Sequence, residues 1–168
     1  MKKIIAGLLL AISSVAYSQE AFTGANDIRA YVGANIQSKG TGVTAGADYG
    51  LGRSFSVGLQ MSYLLGTKNN VNGVEKAPVG DRFDLRGRFN ANLGGVMNLP
   101  EQLDVYPGLS LSLKNFGGHI GARYFFNKGF GVFSEITFPI ARYKTGAAGY
   151  EKLNNQFTFQ IGAAFDLN

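Results

Sequence analysis

One histidine, His119, stands in this sequence, and Ser110 and Ser112 precede it closely. A histidine beside a hydroxyl, with a carboxylate behind it, can serve as a general base that activates a nucleophile. No spacing here matches a serine–histidine motif, and Lys114 is the nearer candidate neighbour. A histidine close to a tight Gly117-Gly118 turn reads first as structural. A lone histidine excludes a histidine metal cluster. The chain has no cysteine, which excludes disulfides, thiol chemistry and cysteine-bound metal. Asn69, Asn70, Asn72, Glu75 and Asp81 offer oxygen ligands without calcium-loop spacing. Gly40-Thr41-Gly42 and Gly129-Phe130-Gly131 lack the following helix of a phosphate loop. The expectation is no cofactor, no metal and no enzyme; a catalytic His119 is the alternative.

The other chemistry is ionic, and its spacing is regular. Arg82, Asp84, Arg86, Arg88, Asn90 and Asn92 occupy every second position of one stretch. Asp104, Tyr106, Ser110, Ser112 and Lys114 continue the pattern, followed by His119, Arg123 and Glu135. Arg29, Asp48 and Asp166 stand in similar alternating surroundings. A period of two puts all these groups on one face of a strand and their neighbours on the other.

The elements that carry them are eight candidate strands, at 27–37, 43–51, 55–65, 81–93, 103–113, 119–126, 130–143 and 155–168. Residues 155–168 show the alternation most plainly: Phe157, Phe159, Ile161, Ala163, Phe165 and Leu167 are apolar, with polar or small residues between. Strands of ~9–11 residues, alternating apolar and polar, are the signature of a transmembrane β-barrel. The connections after the second, fourth and sixth strands read as short turns, and those after the third and seventh as loops. That asymmetry implies short periplasmic turns, longer extracellular loops and both termini in the periplasm. Pro107 and Pro139 fall inside strands and are expected at bulges or near strand ends, because a closed barrel has no edge.

Residues 1–18 read as a cleavable signal peptide: Lys2 and Lys3, an apolar run from Ile4 to Val15, then Ala16-Tyr17-Ser18 before Gln19. The run is shorter than the ~20 residues that span a bilayer. Removing it leaves residues 19–168 as one domain. Net charge falls from +5 to +3 with the loss of two lysines, too mild an excess to argue for nucleic acid. There is no tryptophan, so an interfacial girdle must be built from Tyr and Phe.

If the apolar positions face lipid, the charged ones fill a lumen. An eight-stranded barrel is just wide enough to be filled by side chains, and buried charges must be paired. Arg29, Asp48, Arg82, Asp84, Arg86, Arg88, Asp104, Arg123, Glu135 and Asp166 are therefore expected to form an ion-pair network. Strand pairing brings Arg123 opposite or diagonal to Glu135. It also lets Arg29 bridge Asp48 and Asp166 across the closing seam. The functional alternative is an ion path or binding site. At the outer rim Lys39, Lys68, Lys76, Arg142, Lys144 and Lys152 are candidates for contact with phosphorylated lipopolysaccharide, with Lys114 nearby. Ordinary loop solubility is the plainer reading.

Several segments carry a family resemblance. They are Tyr63-Leu64-Leu65-Gly66, Asp81-Arg82-Phe83-Asp84, Arg88-Phe89-Asn90-Ala91-Asn92-Leu93-Gly94 and Tyr106-Pro107-Gly108-Leu109. Lys114-Asn115-Phe116-Gly117-Gly118-His119, Arg123-Tyr124-Phe125-Phe126 and Gly131-Val132-Phe133-Ser134-Glu135 extend it, with Phe138-Pro139-Ile140-Ala141 and Asn154-Asn155-Gln156-Phe157. Together they resemble an uncharacterised family of small outer-membrane β-barrel proteins of Gram-negative bacteria, over nearly the whole mature chain. The resemblance implies an all-β, closed, antiparallel, up-and-down eight-stranded barrel, and it carries no catalytic residues. The expected location is the cell outer membrane. The expected partners are outer-membrane lipids including lipopolysaccharide, the barrel-assembly machinery during insertion and no nucleic acid, with the protein a monomer. A lipid-modifying enzyme using rim His119, a small narrow channel and a soluble lipocalin-like barrel remain as rivals.

Overall fold

A computed structural model describes residues 20–67, 77–144 and 149–168; the segment 1–18, read above as a signal peptide, lies outside these. Eight strands close into one barrel in sequence order, each antiparallel to its neighbours. They are β1 (Ile28–Gln37), β2 (Gly40–Gly50), β3 (Phe55–Thr67), β4 (Phe83–Ala91), β5 (Leu103–Ser112), β6 (Asn115–Asn127), β7 (Phe130–Arg142) and β8 (Thr158–Asp166). β1 pairs with both β2 and β8, so no sheet edge remains. One helical turn, α1 (Val79–Arg82), precedes β4.

The alternation resolves into two faces of opposite character. Leu59 is 64 % exposed while its neighbour Gln60 is 2 % exposed. Ile28, Val32, Ile36, Met61, Leu85, Phe89, Leu109, Leu111, Ile120, Ile136 and Ile161 all point outward. This is the reverse of a soluble barrel: the greasy band is outside, as in a transmembrane barrel. Among the described residues no helix is long and apolar enough to cross a membrane, a fact that bears on helices and not on strands.

One end of the barrel carries the first and last described residues, Glu20 and Asn168, and the connections at 51–54, 92–102 and 128–129. The 128–129 turn is tight because Gly129 adopts φ 96°, a conformation costly for other residues. The connection at 92–102 is a loop and not the short turn expected after the fourth strand. The opposite, loop end carries the two-residue turn at 38–39, the segment leading into α1, the turn at 113–114 and the loop at 143–157.

β6 begins four residues earlier than its spacing predicts. Gly117 and Gly118 lie within the strand, and the hairpin turn is at 113–114. Both prolines stand where ladders stop. The β4–β5 ladder ends at Asn90 opposite Gly108, leaving Pro107 just beyond it. Pro139 sits beside a bulge in the β6–β7 pairing and beyond the last β7–β8 pair. Neither therefore leaves a ladder acceptor unmatched on its missing N–H side.

Two apolar clusters plug the lumen. Ala21, Tyr31, Phe125, Phe133 and Ala164 pack together at the terminal end. There the 20–27 segment crosses the mouth and is pinned by the Ala21 N–H to the Glu101 carbonyl at 2.6 Å. Leu64, Ala77, Tyr150 and Leu153 close the loop end.

Candidate functional site

Between these clusters lies a buried, charged interior. Its centre is Arg88, on the inward face of β4. Arg88 donates through Nη2 to Glu135 Oε2 at 2.6 Å and through Nη1 to the Tyr31 hydroxyl at 2.8 Å. Its Nε lies 3.2 Å from Asp48 Oδ1. Arg123 approaches the same aspartate at 3.6 Å and Asp104 at 3.3 Å. Asp48 is thus held between two guanidinium groups, Arg88 in line with it across Gly58 on the same wall and Arg123 from the far side of the lumen. The Tyr106 ring lies under Arg123, 4.4 Å from ring centre to guanidinium carbon, a favourable cation–π geometry. Gly121, directly across from Tyr106, leaves the space that ring occupies.

A polar chain runs from this centre to the terminal end. Asn90 Oδ1 meets His119 Nε2 at 2.7 Å, and Asn90 Nδ2 donates to Ser56 at 3.0 Å. Ser56 donates to Asn92, and Asn92 donates to Asp104 at 2.8 Å. Below it Arg29 pairs with Asp166 at 2.9 Å and with Asp27 at 2.5 Å, its guanidinium lying over the Phe125 ring. Towards the loop end Arg86 pairs with Asp84 at 3.2 Å, and Gln60 donates to Gln160 across the lumen at 2.9 Å. Each buried charge therefore faces an opposite one, the condition for tolerating it away from water.

Nine of the ten residues expected in the network line the lumen; the tenth does not. Arg82 ends α1, so the strand alternation starts at Phe83 and Arg82 falls out of phase. Its guanidinium lies over the outward-facing Tyr63 ring and donates to the Leu64 and Leu65 carbonyls. Two pairings also differ. Arg29 is in register with both Asp48 and Asp166, yet the ion pair it makes across the seam is with Asp166. Glu135 pairs with Arg88 across the lumen, while Arg123 turns to Asp48 and Asp104. Asp27 and Tyr31 complete the site without having been expected there. Both share the alternation phase of Arg29, two residues to either side, and that phase was the signal that could have found them.

His119 is not a rim residue. The early start of β6 carries it deep into the lumen, where it is 2 % exposed. Its ring lies over Gly108, its cross-strand partner, with Thr137 on the other side. Among the described residues no cluster of His, Cys, Asp and Glu could hold a metal ion.

The candidate rim cations divide. Lys68 and Lys76 lie outside the described residues. Lys39 is exposed on the 38–39 turn. Lys114 is turned inward and pairs with Asp81 at 3.4 Å. Arg142, Lys144 and Lys152 come together around one open cleft of about 460 Å³, lined also by Tyr143, Glu151 and Asn155. The Glu151 carboxylate accepts backbone N–H bonds from its own residue and from Gly149, which hold it below its usual range. A second cleft, of about 410 Å³, opens at the terminal end beside Phe22, Arg53, Val96 and Leu99.

A family model described as a family of unknown function (DUF6646) matches residues 12–167. The chain belongs to that family. No curated protein matches it. Two similar solved chains are designed proteins. One, described as "De novo design of transmembrane beta-barrels", aligns with a TM-score of 0.57 at 12 % identity, covering 86 % of this chain and 98 % of its own. The other, "Solution NMR structure of de novo designed TMB2.3", gives a TM-score of 0.47 at 13 % identity, covering 87 % and 98 %. At 12 % identity the first likeness speaks to fold: a closed barrel of the transmembrane kind. It carries no activity to this chain.

Proposed function

We propose that this family member is an integral outer-membrane protein whose sealed barrel has a structural, lipid-contacting role and not a transporting or catalytic one. The observation that carries this reading is the inside-out barrel with a filled, ion-paired interior plugged at both ends. An outward apolar surface needs lipid to cover it, and closed barrels satisfy every backbone group within a bilayer. Charged groups pointing into lipid would cost ~2–4 kcal/mol each for Arg or Lys at the midplane, so the inward charges fix the register in a membrane. The reading of residues 1–18 as an export signal agrees with that destination. The filled lumen argues against a conducting path, and the burial of His119 argues against chemistry on membrane lipids at the rim.

The test is fractionation together with conductance. Epitope-tagged protein is expected in the outer-membrane fraction, resistant to extraction by high salt. Purified protein in planar bilayers is expected to give no reproducible current steps. Recovery in the soluble fraction without detergent, or steady unitary conductance, would overturn the proposal.

A further inference from the structure

The loop-end cleft between β7 and β8 has a composition that suits one chemical class. Its rim holds three exposed cations, Arg142, Lys144 and Lys152, and none forms a salt bridge among the described residues. Its one carboxylate, Glu151, is turned to backbone N–H groups. Three positive charges against one negative leave a local excess of two. A phosphate monoester carries about −1.5 to −2 at neutral pH, and Arg and Lys bind it through charge-assisted hydrogen bonds.

The surroundings add a second requirement. Phe138 and Ile140 on β7, Phe157 just before β8 and Phe159 within it point outward next to the cleft, exposed by 39, 58, 59 and 37 %. Tyr143, between Arg142 and Lys144 in the chain, is exposed and lines the same cleft, as an interfacial aromatic would. A free anion would use the cations and ignore this band. A phosphorylated lipid would use both, with its phosphate among the cations and its acyl chains along the Phe and Ile side chains. Asn155, which lines the same cleft while 3 % exposed, anchors the loop by donating to the Tyr143 carbonyl. That bond holds the two sides of the cleft together, so the cations are presented on a braced loop.

From this we infer that the Arg142–Lys144–Lys152 cleft is a binding site for the phosphate of a phosphorylated glycolipid in the surrounding leaflet. The inference rests on the membrane reading above and sharpens it to one place on the rim.

The test uses the full mature protein refolded in zwitterionic micelles, so that it does not depend on where the protein resides in cells. Binding of bisphosphorylated lipid A is measured by microscale thermophoresis. The same lipid after phosphatase treatment and inorganic phosphate serve as the comparison probes. The triple variant R142Q/K144Q/K152Q is expected to bind lipid A at least tenfold more weakly than wild type. Wild type is expected to bind the dephosphorylated lipid equally weakly, and Lys128→Gln, at an exposed turn at the opposite end of the barrel, to leave binding unchanged. Unchanged affinity in a folded triple variant would overturn the inference, as would equal affinity of wild type for both lipids. Binding of inorganic phosphate as tight as that of lipid A would overturn the lipid as occupant. Phosphate-selective binding by a protein found outside the outer membrane would overturn the membrane reading alone.

Discussion

Replacing Glu135 with glutamine removes one carboxylate from the most heavily paired part of the lumen while keeping the side-chain shape. Arg88 then loses its 2.6 Å partner and retains Asp48 at 3.2 Å, the Tyr31 hydroxyl and Asn90. With an effective dielectric near 20, the gross attraction is about 6 kcal/mol for the lost pair and about 5 kcal/mol for the retained one. Desolvation offsets much of either figure. Measured losses on breaking a buried pair run ~3–5 kcal/mol. Asp48 remains but is shared with Arg123, so it cannot turn wholly to Arg88, and a loss of about 3 kcal/mol is expected. The assay is urea unfolding of the barrel reversibly folded into lipid vesicles, followed by fluorescence and by heat-modifiable migration on gels. The pairwise origin of the effect is checked with Arg88→Met and the double variant. If the cost comes from an orphaned charge, R88M/E135Q will lose clearly less than the sum of the single variants. A loss below about 1 kcal/mol in Glu135→Gln, or strict additivity, would refute the claim that these charges hold the lumen as a coupled unit.

Two further outcomes follow from the same geometry. Gly121→Ala places a methyl group into the Tyr106 ring, and overpacking of this kind costs ~1–3 kcal/mol; the companion Tyr106→Leu in that background is expected to recover part of the loss in the same urea assay, and no recovery would place the strain elsewhere. At the loop end, Glu151 is depressed below the ordinary carboxylate value of 4.5 by its backbone bonds, so the turn it braces is intact above that value and is released only as pH falls through the lower, folded one. The Gly149 amide resonance should therefore titrate with a midpoint below 4.5, and a midpoint at or above it would show that the bond does not favour the charged form.

The strand faces were legible because alternation has a period of two and tolerates errors at the ends. Arg29, Asp84, Arg88, Asp104 and Arg123 all point where that period puts them. Arg82 does not, because a helical turn at Val79–Arg82 resets the phase before β4, and nothing in the charge pattern marks such a reset. Gly117-Gly118 failed as a signal for a different reason. Glycine pairs usually punctuate a chain, but here they lie in a strand, and Gly118 makes room for the Phe138 ring. A glycine inside a strand often marks such a close approach. That single misplacement of β6 is what separates a rim histidine, open to chemistry, from the buried His119 of the lumen.

Partner choice inside the barrel was less legible than position. Register arguments rank neighbours along a sheet, whereas two of the pairs here join strands that do not touch. Arg88 on β4 reaches Glu135 on β7, and Arg123 on β6 reaches Asp48 on β2. Arginine is long enough to cross a narrow lumen, so the partner is decided by which wall it meets and not by the adjacent strand. Asp48 shows the consequence. It lies in register with Arg29 but is claimed by Arg88, two strands along the same wall, and by Arg123 from across the barrel, and Arg29 is left to Asp27 and Asp166. The chain closes its circle of strands by backbone pairing; these cross-lumen bonds tie opposite walls together.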